Sequence, residues 1–128
     1  MGNVTRVLAE LGQLDNTIIV FSTDNGGMPS VGGLNYPLRG TKNSMFEGGM
    51  RAVGFIRHPA SIGANKVYDG LIHISDWFPT LAGLAGLPAT KGIEGVDQSA
   101  ALKANGPSPR KEILLNLDDT FTHTNKTA

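Results

Sequence analysis

The sequence of 128 residues contains no cysteine. This absence excludes a disulfide framework, a cysteine-based zinc site and a cysteine nucleophile within the chain. It does not identify the cellular compartment, because a secreted domain of this size can fold without disulfide bonds.

Net charge and long apolar runs are also lacking. Eleven basic and eleven acidic side chains cancel, and neither sign is clustered. A nucleic-acid groove or an anionic membrane surface would require a basic patch, so we expect neither partner. No apolar run approaches the length of a membrane span, and the first residues lack the apolar core of a signal peptide. We therefore expect no membrane span and no targeting signal in the sequence as written.

The remaining composition is typical of a folded, loop-rich protein: 40% of residues are hydrophobic, 17% are charged, and 17 are glycine. Near the start, apolar residues recur at helical spacing, with Asn3 as a candidate N-cap and Gly12 as a candidate end. A short turn leads from this amphipathic helix into an apolar, β-branched strand over residues 17–22. Helix, short turn and apolar strand predict an α/β fold with a mostly parallel sheet.

Further along the chain, residues 23–49 show no period and are rich in glycine, which predicts an ordered loop wrapped over a site. A second strand is expected over residues 51–56, and a helix begins at Ser75 or Asp76 and ends near Gly86. The remaining predicted elements are a short helix over 97–104 and a last strand over 112–117, before an unpatterned tail.

Two candidate metal ligands, Asp24 and Asn25, directly follow the first strand. A carboxylate and an amide oxygen are the ligands that calcium or magnesium prefers, but two residues cannot fill six or more positions. An Asn-Gly turn is the alternative interpretation, and on the pair alone we favour it.

Two cations, Arg39 and Lys42, occupy the loop that follows. They could bind a sulfate or phosphate, with arginine forking onto two oxygens and lysine acting as a point charge. The alternative is a solvated basic loop. Glu47 and Arg51 could be a site acid and a site cation, but we favour an ion pair that braces the loop.

The residues around position 75 are predicted to have structural roles and not catalytic ones. We expect His73 to be a satisfied core histidine and Asp76 to be a helix cap. We also expect Trp77 and Phe78 to lie in the core.

Four stretches in combination are more specific than any one of them: FSTDNGG at 21–27, NYPLRGTK at 35–42, EGGMR at 47–51 and HISDWFPTL at 73–81. In order and spacing they resemble the sulfatase family, and within it the animal arylsulfatase B, I and J group. The resemblance implies an alkaline-phosphatase-like α/β sandwich with a mostly parallel central sheet, here truncated. It also implies that residues 1–90 are the C-terminal part of the catalytic domain. Residues 91–128 would then be a linker and the start of the smaller C-terminal region.

Members of that family hydrolyse sulfate esters at a calcium ion, using a formylglycine made from a cysteine. By resemblance, Asp24 and Asn25 match calcium ligands, and Asp24 also helps to deprotonate the formylglycine hydrate. Lys42 matches the lysine that holds the sulfate and assists the leaving oxygen, with Arg39 as a further substrate-binding residue. The implied substrates include sulfated N-acetylgalactosamine in glycosaminoglycans, and the implied compartment of the parent enzyme is lysosomal or secreted.

The sequence departs from the family in lacking the Cys-x-Pro-x-Arg motif and the half of the enzyme that carries it. We therefore expect a fragment, inactive alone, that needs the missing N-terminal half to complete its site. The alternative is a non-catalytic chain that binds calcium, an oxyanion or a partner protein. A third hypothesis, another metal phosphoesterase of the same superfamily, is disfavoured by the motifs at 39–42 and 73–81. Asn3 and Asn125 stand in N-glycosylation sequons, which matter only in a secretory chain.

Overall fold

The computed structural model describes residues 2–88 and 91–115. Within them, the strands are Ile19–Ser22 (β1) and Gly54–Arg57 (β2). The α-helices are Gly2–Glu10 (α1), Glu47–Met50 (α2), Trp77–Leu84 (α3) and Ser99–Ala104 (α4). Short 3₁₀ turns cover Leu14–Asn16, Pro29–Val31 and Ile74–Asp76. No helix in the described ranges combines the length and the apolar character needed to cross a membrane.

The chain divides into two compact units. The first comprises Met1–Phe21 and Gly54–Ile113, and the second comprises Ser22–Val53 and Leu114–Ala128. The predicted metal and anion residues all belong to the second unit. Strand β1 up to Phe21, strand β2 and the helices α1, α3 and α4 belong to the first. The family-based boundary between residues 90 and 91 stays a prediction.

Helix α1 confirms the first predicted element. Gly12 ends it as expected, because its φ of +66° is accessible to glycine at little cost and its N–H donates to Ala9 O at 3.0 Å. The predicted N-cap is wrong, since Asn3 lies inside the helix, which already includes Gly2. No residue of α1 is buried, so its apolar stripe is not covered by the described part of the chain.

The strands β1 and β2 pair with each other in an antiparallel sheet. Phe21 and Phe55 stack across this sheet with ring centroids 5.5 Å apart. Both strands start later than predicted, at Ile19 instead of residue 17 and at Gly54 instead of residue 51. The chain enters the loop after Ser22, where Thr23 N–H bonds to Val53 O. The α/β class is confirmed. The described residues contain this one antiparallel pair. The connection between the strands carries the 3₁₀ turn Pro29–Val31 and the four-residue helix α2, not the long helical crossover typical of parallel neighbours.

Helices α3 and α4 pack together and contribute the buried side chains Leu84 and Leu102. Gly86, with a φ of +74°, ends α3 as predicted. Helix α4 begins two residues later than predicted because the Asp97 carboxylate accepts the Ser99 N–H at 2.7 Å, which favours a turn before the helix.

Two structural predictions fail in this region. Phe78 is 65% exposed and is therefore not a core residue among the described residues. Residues 112–115 of the predicted last strand have no strand conformation, and residues 116 and 117 lie outside the described residues.

Candidate functional site

Asp24 and Asn25 follow β1 directly and form a tight local turn. Asn25 N–H donates to Asp24 Oδ1 at 2.9 Å, and Asn25 Nδ2 donates to Gly26 O at 2.9 Å. The second bond turns the amide nitrogen towards the chain and leaves the amide oxygen as a possible ligand. The turn and the ligand pair, which the sequence presents as alternatives, are therefore compatible in one geometry.

The pair has the chemistry that part of a hard-cation site would need. Both side chains offer oxygen, which suits calcium or magnesium, and the Asp24 carboxylate is exposed. Among the described residues, no cluster of three or more histidine, aspartate or glutamate side chains could hold a metal ion. The two side-chain oxygens fit a calcium ion. Because two ligands cannot complete its coordination, the remaining ligands would have to come from other residues.

A glycine clamp, which we define as residues 26–27, 35, 40 and 48–49, holds the stretch after Asn25. At its centre, Asn35 Oδ1 accepts the N–H of Gly27 at 2.7 Å. Asn35 Nδ2 donates to Gly27 O at 2.9 Å and to Gly40 O at 3.1 Å. One side chain thus joins the loop that follows the metal-ligand pair to the loop that carries the cations.

The clamp requires glycine because its backbones lie too close together for a side chain. A Cβ on Gly26 would overlap with Gly48 O, and a Cβ on Gly48 would overlap with Gly40 O. Gly26 N–H also donates to Gly49 O at 2.9 Å. The glycine richness of this loop therefore reflects close backbone approach rather than flexibility.

Lys42 and Arg39 project from the same clamp. Lys42 N–H donates to Gly27 O at 3.2 Å, and Arg39 O accepts the Gly48 N–H at 2.7 Å. The Lys42 side chain is exposed, whereas the Arg39 guanidinium lies over the Phe46 ring, 4.0 Å from its centroid. This cation–π contact fixes the direction of Arg39 without neutralising its charge. The predicted ion pair between Glu47 and Arg51 is confirmed at 3.2 Å.

The first unit contains a polar cluster that the sequence analysis did not identify as a cluster. Asp76 is fully buried and accepts two bonds from Arg110, from Nε at 2.7 Å and from Nη2 at 2.5 Å. The N–H groups of Val96 and His73 donate to the same carboxylate at 2.8 and 2.9 Å. Asp76 stands at the N-cap position of α3, as predicted, but its side chain makes no cap bond to that helix. Its carboxylate instead accepts the His73 N–H of the preceding turn and anchors residues 94–110.

This cluster strongly favours the ionised carboxylate. Burial alone would raise the pKa of Asp76, but the bonds from Arg110, Val96, His73 and Gln98 together hold it well below its usual range. The same contact raises the pKa of the Arg110 guanidinium. The signal in the sequence was the pair of motifs SDWFPT and PSPR, whose contact could not be inferred across 34 residues.

The first unit has two other features. Half-buried His73 bonds through Nδ1 to Ser75 Oγ at 2.8 Å, which agrees with a structural histidine. A cavity of about 430 Å³ in the first unit is lined by residues 67–70, 105–108 and 110–111, none of which is a predicted site residue. Of the two sequon asparagines, Asn3 is exposed on α1 and Asn125 lies outside the described residues.

Comparison with known proteins agrees with the motifs. The family model described as "Sulfatase" matches residues 1–87. The chain is 43% identical over 122 residues to Arylsulfatase J of Mus musculus, a match that covers 94% of this chain and 20% of that protein. It is 38% identical over 103 residues to N-acetylgalactosamine-6-sulfatase of Mus musculus, covering 76% of this chain and 20% of that protein.

A solved structure shows the same fold. The crystal structure of the PsFucS1 sulfatase from Pseudoalteromonas sp. superposes with a TM-score of 0.74 at 36% identity, covering 86% of this chain and 23% of that one. The chain thus spans about a fifth of the length of the curated relatives that it matches.

Proposed function

Because this chain belongs to the sulfatase family, we propose that it forms part of a calcium-dependent arylsulfatase, a hydrolase of sulfate esters. Its own contribution is one side of the active site. Asp24 and Asn25 would hold the metal, and Lys42, with Arg39 beside it, would hold the sulfate.

The observation that carries this proposal is the glycine clamp. The Lys42 N–H bonds to Gly27 O, only two residues from Asn25, and Asn35 locks Gly27 to Gly40. A carboxylate, an amide oxygen and a lysine are thereby anchored to one rigid backbone frame. Rigid placement of charged groups is what stabilisation of a transition state requires.

Each residue has a distinct chemical task in this proposal. A bound calcium ion would supply positive charge beside the sulfate oxygens. The carboxylate of Asp24 and the amide oxygen of Asn25 would ligate it, and Asp24 could also accept a proton from a nucleophile that another segment supplies. Lys42 attracts the sulfate and stabilises the negative charge that develops on the leaving oxygen.

The name of one relative supports a substrate class. One of them is named for N-acetylgalactosamine 6-sulfate, so we propose a sulfated sugar, such as N-acetylgalactosamine sulfate in a glycosaminoglycan. A lysosomal or secreted parent enzyme with glycans on Asn3 and Asn125 fits the two sequons. We also retain the family-based division into a catalytic segment, 1–90, and the start of the C-terminal region, 91–128.

The proposed site is incomplete in this chain, which has no cysteine from which a formylglycine could be made. We therefore propose that the 128 residues alone hydrolyse no sulfate ester and require a further segment that carries the nucleophile. The second candidate function is binding of calcium or an oxyanion without catalysis. The exposed Asp24 and Lys42 favour it, because both are accessible without that segment.

A chimera tests the proposal. In mouse Arylsulfatase J, the segment that matches this chain is replaced by this chain, and turnover of an aryl sulfate is measured against calcium concentration. We expect calcium-dependent turnover that Asp24→Ala and Asn25→Ala shift to higher calcium concentration. A folded chimera whose turnover responds to neither substitution would overturn the assigned metal ligands. Calorimetry on the chain alone distinguishes the second function from the first. The second function predicts specific calcium or sulfate binding without turnover.

A further inference from the structure

The cavity in the first unit is built from residues to which the proposed function gives no task. Its volume is about 430 Å³, and its walls come from residues 67–70, 105–108 and 110–111. All of these residues belong to the first unit, whereas the predicted metal and anion residues belong to the second. Protein cavities that hold small molecules measure about 300–1,000 Å³, so this one has the size for an organic ligand.

Hydrogen bonds to buried groups fix the walls of the cavity. Ser108 is buried, donates through Oγ to Leu71 O at 2.7 Å and accepts the Arg110 N–H at 3.0 Å. The Tyr68 hydroxyl donates to Oε1 of the fully buried Gln98 at 3.2 Å. The cavity is therefore largely preformed, and a ligand would lose little free energy to the ordering of its walls.

Tyr68 contributes a fixed aromatic ring. A Cβ at position 70 would lie 2.5 Å from Tyr68 Cζ, so the half-buried ring rests on the backbone of Gly70. Because its hydroxyl is held by Gln98, the ring has little freedom left for binding to remove. An aromatic ring supplies a flat apolar surface against which another ring can pack. This wall therefore favours a cyclic ligand with an apolar face.

The charged side chains of the cavity favour a ligand of mixed polarity. Arg110 forms two bonds with the Asp76 carboxylate, so its charge is balanced within the protein. Asp69 and Lys111 are exposed, and the ion pairs within residues 2–88 and 91–115 include neither of them. Lys111 Nζ donates to Ser108 O at 3.0 Å and keeps its remaining N–H groups for a ligand. A bare anion would be repelled by Asp69, and a metal cation would be repelled by Lys111.

An exposed amide completes the polar set. Asn105 ends α4 in the left-handed conformation, with a φ of +52°. An amide both donates and accepts hydrogen bonds, as hydroxyl groups do, whereas a carboxylate only accepts them and an ammonium group only donates them. A sugar with one acidic group matches this combination. Its hydroxyls suit Asp69 and Asn105, its acidic group suits Lys111, and the apolar face of its ring suits Tyr68.

We infer that this cavity, which we call the acidic-sugar cavity, binds a sugar unit that carries a carboxylate or sulfate group. The inference rests on the proposed function only for the origin of that sugar, which would be a further unit of the same polysaccharide substrate. It adds a binding site in the first unit, built from none of the residues assigned to the metal or to the sulfate.

The test measures by calorimetry how the chimera binds an unsulfated disaccharide of glucuronate and N-acetylgalactosamine. This probe has a carboxylate but no sulfate ester, so a sulfatase cannot consume it. We expect Lys111→Ala to weaken binding about tenfold, because a charge-assisted hydrogen bond is lost. Lys103→Ala, which removes an exposed lysine of the same unit outside the cavity, is the matched control. Equal affinity of these two variants, or no binding by the unsubstituted chimera, overturns the inference.

Asp69→Ala distinguishes a sugar site from a simple anion site. A sugar hydroxyl loses its acceptor, so the affinity for the probe should fall, whereas a simple anion would bind more tightly without the carboxylate. Tighter binding of the probe, or its displacement by inorganic sulfate at equal concentration, overturns the inference. If Lys111→Ala fails to fold, Asn105→Gly takes its place, because glycine adopts the φ of +52° at little cost, and the same fall in affinity is expected.

Lys42→Ala separates this inference from the proposed function. We expect the affinity for the probe to persist in this variant while turnover of the aryl sulfate falls. Loss of probe binding would assign the probe to the sulfate residues and overturn the cavity as its site. If turnover is unaffected while Lys111→Ala weakens probe binding, the acidic-sugar cavity stands and the assigned sulfate ligand does not.

Discussion

Asn35 and Gly27 bond to each other twice, Gly27 N–H to Asn35 Oδ1 at 2.7 Å and Asn35 Nδ2 to Gly27 O at 2.9 Å. A side-chain amide here does what a neighbouring strand does in a sheet, satisfying both polar groups of one residue. This reciprocal pair connects the stretch that follows Asp24 and Asn25 to the loop that carries Lys42.

Replacing this side chain tests the clamp. Asn35→Ala removes three bonds, leaves Gly27 N–H and Gly40 O without their partner, and is expected to cost about 1–3 kcal/mol, because part-buried polar groups lose their bonds. Denaturant unfolding of the chimera measures the loss, and calcium titration should show weaker binding. Ser30→Ala, at an exposed position, is the control. Equal stability of Asn35→Ala and Ser30→Ala would contradict the role of the clamp.

Gly26 provides a second test of the same frame. Gly26→Ala places a methyl group onto the carbonyl of Gly48, which is backbone and cannot rotate away, so we expect a loss of about 1–3 kcal/mol. Gly106→Ala is the matched control, because its nearest neighbour, Ala104 Cβ, is 3.8 Å from the added carbon. If the two variants unfold at the same denaturant concentration, the requirement for glycine at position 26 is contradicted.

The buried ion pair of Asp76 and Arg110 predicts a large effect in the first unit. Arg110→Ala leaves a fully buried carboxylate without its bidentate partner, for an expected loss of about 3–5 kcal/mol. Arg6→Ala removes the exposed pair with Glu10, for an expected loss below about 1 kcal/mol. Amide exchange at Val96, whose N–H donates to Asp76, measures the local opening. Similar exchange rates in both variants would refute the anchoring role.

The pH dependence of that anchor follows from the depressed pKa of Asp76. A lowered pKa in the folded state contributes stability that is fully present above the unfolded value, about 3.9. That stability is lost as the pH falls below this value towards the folded pKa. Protection of Val96 relative to an Asp76→Asn variant should therefore stay constant from pH 8 to about pH 5 and decline below about pH 4. A decline already between pH 7 and pH 5 would contradict the assigned direction.

The elements that the sequence predicted well are those governed by local physics. Helical spacing and a left-handed glycine defined α1 and its end at Gly12, and the apolar run before Asp24 defined β1. The four motifs identified the family, because their combined spacing is far more specific than any single turn or loop.

The features that the sequence did not reveal depend on contacts between distant segments. Asp76 and Arg110 are 34 residues apart, and no local pattern indicates that they meet. The exposure of Phe78 was missed for the converse reason, since an apolar residue on a helix indicates a buried face without showing what buries it. The glycine clamp likewise could not be recognised in the sequence, because glycine in a loop is normally interpreted as a turn former.

The central claim, that this chain carries the sulfate-binding side of an arylsulfatase site, is tested most directly by Lys42→Ala in the chimera. The account predicts a fall in kcat of about 10²–10³ with unchanged thermal stability, because Lys42 would act on the charge of the transition state. Lys66→Ala, which removes an exposed lysine outside the clamp, should leave kcat unchanged. Full activity of the folded Lys42→Ala chimera would contradict the claim.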